Sequence, residues 1–84
     1  MGWINIDEIY PRTPRQYIVT GAVHESRDEE LVVEEHADEY VMFVVEKQDP
    51  DNVLYEVERH ISEDEIESKA DEWVDEHPNG LADV

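Results

Sequence analysis

The chain has no cysteine, only three glycines and two lysines, and just three leucines among 84 residues. Without cysteine it has no disulfide, no thiolate metal site and no cysteine nucleophile, a composition suited to a reducing cytosol. Glycine at positions 2, 21 and 80 alone supplies neither a dinucleotide fingerprint nor a phosphate loop. Serine is equally scarce, and Ser26, Ser62 and Ser68 all lack the glycine-flanked elbow that exposes a nucleophile. The longest apolar run, Tyr40 to Val45, is six residues, against about 20 for a membrane span. The opening Gly2-Trp3-Ile4-Asn5-Ile6 has neither a basic region nor a continuous apolar stretch, so no leader is expected there. No enzyme activity, cofactor or specific metal site is expected from this inventory.

What is abundant is negative charge: 24 Asp and Glu against 6 Lys and Arg, a formal net of −18. Asp7 and Glu8 are balanced by Arg12 and Arg15, so residues 25 to 84 carry 22 acids, 4 bases and the whole imbalance. In dilute buffer such a density of like charge pushes a compact state apart. In molar salt the Debye length falls to roughly 3 Å and the repulsion fades. An apolar fraction of 39%, with two Trp, four Tyr and one Phe, separates the chain from disordered acidic segments, which lack core material. The expectation is a folded cytoplasmic protein of a salt-accumulating halophile, with non-specific cations at its acidic surface and no membrane contact. A nucleic-acid mimic that offers carboxylates to a basic partner is an alternative source of the same charge.

At this length there is room for a single domain and one modest core, burying somewhat over roughly 60% of the unfolded surface. Val and Ile supply 17 of the 33 apolar residues, and β-branched side chains fit a pleated surface better than a helix. Tyr40 to Lys47 and Val53 to His60 read as a hairpin joined by the turn residues Gln48 to Asn52. Gln16 to Glu25 reads as a further strand, with Gly21 marking a bulge or a close backbone approach. Leu31 to His36 fits a short strand better than a helix. Near the C-terminus, Ser62 with Glu65 matches a capping box, and Ile61 with Ile66 a hydrophobic staple. From there Ile66, Ala70, Trp73, Val74 and His77 recur at helical spacing, and His77-Pro78-Asn79-Gly80 ends the element.

The expected fold is α+β: a three- or four-stranded antiparallel sheet of hairpins, with one C-terminal amphipathic helix over about 63–77 packed on one face. Residues 1–16 are expected to be irregular, with Asn5 and Glu8 capping a single turn; the sheet spans 17–60, the helix 62–77 and a tail 78–84.

Three sets of residues are candidates for function. The strand from Tyr40 is apolar on both faces, as in a strand covered on both sides. One helix covers one face, so the other is closed by the N-terminal segment with Trp3 and Ile4 or by another chain; Val41, Phe43 and Val45, with Trp3 nearby, are the expected interface for a protein partner or a homodimer. Tyr10, Arg12, Arg15 and Tyr17 cluster cations and aromatics without acids and offer an alternative contact for nucleic acid, which so negative a body would otherwise repel. Within the same segment Pro11 and Pro14 have the spacing of a polyproline ligand. His24, Glu25, His36, Asp38, His60, Glu63 and His77 are competent metal ligands, yet they lack metal-site spacing. An EF-hand loop beginning at Asp49 fails at its sixth and twelfth positions, Leu54 and His60.

Overall fold

Branched aliphatic runs separated by short polar turns pair with their sequence neighbours. The computed structural model describes residues 2–5 and 18–84, and its strands form a five-stranded antiparallel meander. Strands β1 (Trp3–Asn5), β2 (Ile18–His24), β3 (Glu29–His36), β4 (Glu39–Glu46) and β5 (Asp49–Ile61) lie side by side in chain order. A 3-10 turn at Glu63–Glu65 leads into helix α1 (Ile66–Glu76), and a second covers Gly80–Asp83. The architecture is α+β, and among the described residues no helix is long and apolar enough to cross a membrane.

The sheet has one strand more than the upper expectation. The addition is β1, inside the segment expected to be irregular; three residues are too few to show alternation, and only pairing with Ala22, Val23 and His24 of β2 defines the strand. Asn5 therefore ends a strand instead of capping a turn, and Glu8 lies outside the described residues. The β4–β5 turn is also tighter than the expected Gln48 to Asn52, being formed by Lys47 and Gln48. Residues 50 to 52 join β5 as an irregularity between the pairs Glu46–Asp49 and Val45–Val53. An edge strand tolerates this proline, because its missing N–H costs no central ladder bond. Asn52 donates back to Glu46 Oε2 at 2.8 Å.

Gly21 sits where the β3 backbone comes close: a Cβ there would lie 2.5 Å from the Leu31 carbonyl oxygen. A register irregularity also falls in β2, between Ile18 and Thr20. The capping box does not form. Ser62 is extended and makes no side-chain cap bond; the Glu65 N–H instead bonds the Ser62 carbonyl at 2.9 Å, closing the 3-10 turn. The staple pair Ile61 and Ile66 does share the core.

The helix-facing layer unites Leu31, Val33, Met42, Val44 and Ile61 with Ile66, Ala70 and Trp73 of α1. Lys69 crosses from the helix to Glu58 on β5 at 2.8 Å. That hydrogen bond, reinforced by the Glu58, Glu65 and Glu72 charges against some burial, holds the Lys69 ammonium above its ordinary range. Half-buried Tyr40 is pushed up by burial and then by the Glu63 and Glu35 carboxylates. Both raised values mean that the stability these groups contribute is full below their ordinary pKa values of 10.0 and 10.5. It is lost as pH rises through the folded values. Circular dichroism with tyrosinate absorbance should therefore show stability declining from about pH 10 upward. A stability profile that stays flat through the tyrosine and lysine titrations would contradict this.

Candidate interaction surface

Alternation along each strand sorts the apolar side chains onto two faces. Opposite the helix, Val23 pairs with Glu30 and Glu30 with Val45, while Val32 pairs with Phe43 and Glu34 with Val41. Val41 and Val45 are 1% and 0% exposed, and Val23, Val32 and Glu30 are also buried. Of the predicted interface residues on β4, only Phe43 keeps partial exposure, with the His36 ring edge-on to it at 6.3 Å. Val41 and Val45 are already withdrawn from solvent in the single chain. They offer a partner nothing further to bury.

Trp3 lies on the other side of the sheet. It pairs with His24, donates from Nε1 to the His77 carbonyl at 2.7 Å, and meets Trp73 edge-on at 5.7 Å. Its expected neighbours Val41, Phe43 and Val45 are thus separated from it by the sheet, because strand parity sends positions 3 and 24 toward the helix. Tyr10, Arg12, Arg15 and Tyr17 lie outside the described residues.

Around Trp3 the structure builds a buried polar tie that pattern reading missed. His24 Nδ1 accepts the Ser26 and Arg27 N–H groups at 3.2 and 3.1 Å, which leaves Nε2–H to donate to the Pro78 carbonyl at 2.9 Å. Ser26 Oγ stands 3.4 Å from the same Nδ1, whose lone pair those two amides already occupy, so no activated serine arises. Glu29, 5% exposed, accepts the Leu81 N–H on Oε1 at 2.8 Å and the Arg27 guanidinium on Oε2 at 2.9 Å. Lys47 Nζ donates to the His24 carbonyl at 2.7 Å. Gly80 adopts a positive φ of 61°, and a Cβ there would overlap Glu29 Oε1.

These bonds lock the C-terminal turn onto β2 and β3. Glu29→Ala should cost about 2–3 kcal/mol, as it removes charge-assisted bonds and orphans the Leu81 amide. Urea unfolding in molar KCl measures it; a loss below about 1 kcal/mol would show that the tie contributes little.

His24 and His77 both neighbour Trp3, whereas His36 and His60 sit apart from them. His36 meets Glu34, His60 meets Glu39, and His77 stacks on Trp73 and donates from Nδ1 to its carbonyl. Among the described residues no group of three or more His, Asp or Glu side chains is arranged to hold a metal ion. Between α1 and β2 runs an open cleft of about 350 Å³, floored by Gly21, Ala22, Leu31 and Ala70 and rimmed by Glu67 and Asp71. That volume is near the lower limit for small-molecule sites.

Among the described residues, exposed large apolar side chains are Val19, Val84 and a consecutive run on β5. This strand is 13 residues long beside an 8-residue β4, and it forms one margin of the sheet. Val53, Leu54 and Tyr55 are consecutive and 50%, 42% and 40% exposed. Its irregular register against β4 explains how consecutive residues can all face water: Tyr55 pairs with Val44 but Val53 with Val45, leaving Leu54 as the extra residue. Arg59, the only Lys or Arg on the strand, pairs with Glu56 at 3.2 Å, both half exposed. One residue before its end the strand has His60 at φ 59°, its N–H bonded to Glu39 Oε1 at 3.0 Å. No protein-family model, curated protein or solved structure matches this chain.

Proposed function

We propose that this chain is a small, non-catalytic interaction module of a salt-rich cytoplasm, associating with a protein partner or with itself at the margin of its sheet. The observation that carries this reading is the run Val53-Leu54-Tyr55. It is exposed on the long outer strand of a strongly acidic body. An outer strand has one side of its backbone unpaired, and apolar side chains beside that backbone favour pairing with another chain. The acidic surface supports solubility in concentrated salt and discourages indiscriminate contacts.

Isolation of the native particle from its cells in molar KCl tests the reading. A mass above that of the monomer is expected, falling to the monomer when Leu54→Asp and Tyr55→Asp are introduced together. A particle at monomer mass before and after the substitutions would rule the reading out.

A further inference from the structure

The geometry points to a second copy of this chain as the occupant of the β5 margin, paired antiparallel about Tyr55 so that Asp51 of each copy faces Arg59 of the other. This rests on the association proposed above and names the partner and its register. Tyr55 is the midpoint of Asp49–Ile61, so a two-fold axis there pairs the whole strand with its symmetry mate. In that register Asn52 meets Glu58, and Leu54 covers the stem of Glu56. No two like charges stand directly opposite. Moving the axis one residue on, to Glu56, would set two glutamates face to face, a destabilising arrangement. Moving it one residue back, to Leu54, shifts Arg59 opposite Asp49 at the end of the ladder and leaves Asp51 against Val57. The centred register therefore keeps the cation inside the ladder and overlaps the full length of both strands.

Outer strands that remain single are usually short, or carry lysine or proline along their length. β5 is 13 residues long, has no lysine, and carries its proline at position 50, outside the span from Asp51 to Arg59. Its register irregularities add twist, which limits the contact to a narrow ribbon, so the dimer is weak and concentration-dependent. Two bodies of −18 repel at long range in dilute buffer, whereas molar salt screens that repulsion more than it screens a pair in contact. Dimerisation should consequently strengthen with KCl, the reverse of an ordinary ion-paired interface. Arg59 is exposed and held by one surface pair to Glu56, which contributes little; it is free to bridge to Asp51 of the other copy.

Sedimentation equilibrium of the purified full chain in molar KCl tests the pairing, with circular dichroism confirming that each variant is folded. The native chain should show a monomer–dimer equilibrium. Arg59→Asp should weaken it at least about tenfold, because two opposed pairs become repulsive. Asp51→Arg should do the same, and the double variant Asp51→Arg with Arg59→Asp should recover affinity to within about threefold of native. A folded double variant that stays as weak as the singles overturns the register, as does an Arg59→Asp chain that dimerises like the native one. A purified chain that is monomeric at every concentration overturns self-pairing. If the native particle is nonetheless larger than a monomer, association stands with a different partner; if it too is monomeric, both proposals fall.

Discussion

Transferred from molar KCl to dilute buffer, the chain is expected to lose its cooperative fold. Residues 25 to 84 hold 22 acids and 4 bases, and the pairs those bases make, Arg27–Glu29, Arg59–Glu56 and Lys69–Glu58, neutralise a small part of the charge. The helix is especially exposed to this effect. Its Glu67–Asp71, Asp71–Asp75 and Glu72–Glu76 neighbours are like-charged at i,i+4, each such pair costing about 0.2–0.5 kcal/mol at low salt. Its last turn has no basic residue, so Asp75 and Glu76 lie at the negative end of the helix dipole. Across β3 and β4, Glu29 pairs directly with Glu46. Shortening the Debye length from about 10 Å at 0.1 M to about 3 Å at 1 M removes most of these penalties together. Far-UV circular dichroism along a KCl series should show a cooperative gain of structure, and sucrose of matched osmolality should reproduce it only in part. A rigid, cooperatively melting chain in salt-free water would defeat both the prediction and the halophile assignment.

The second large effect is expected at Trp73. Its ring is 8% exposed, stacks on His77 at 4.1 Å with 14° between planes, meets Trp3 edge-on, and belongs to the cluster holding α1 on the sheet. Trp73→Ala should cost about 3–5 kcal/mol, comparable with the whole stability of a small domain, about 5–15 kcal/mol. Urea unfolding in molar KCl should show the variant's midpoint shifted to much lower denaturant. Trp3→Ala should cost distinctly less, since Trp3 is only half buried and reaches the core from the marginal strand β1. If Trp73→Ala unfolds within about 1 kcal/mol of the native chain, the helix is not held as described.

How far the chain could be read in advance follows the range of the interactions. The β4–β5 hairpin, the strand at Leu31 to His36 and the helical stripe Ile66, Ala70, Trp73 were legible because side-chain periodicity is local and survives in one dimension. The Ser62 capping box was a local signal that a 3-10 turn displaced. The strand at Trp3 was invisible because its definition lies in Val23, 19 positions from Ile4. That Val41, Phe43 and Val45 share one face of β4 was legible from alternation; the burial of Val41 and Val45 was not, since burial depends on what else packs there. The polar tie joins His24 and Glu29 to Pro78 and Leu81 across more than 50 positions, beyond the reach of any spacing rule.

By itself the order of residues determined an acidic body, a β-branched core, an α+β class and a helix near the end, all consequences of composition and short-range period. Only the tertiary structure decided which hydrophobic residues stay in water. Strand order put β5 at the margin of the sheet, and its irregular pairing with β4 turned Val53, Leu54 and Tyr55 outward. Exposure is a property of neighbours in space, and those neighbours are set by long-range pairing.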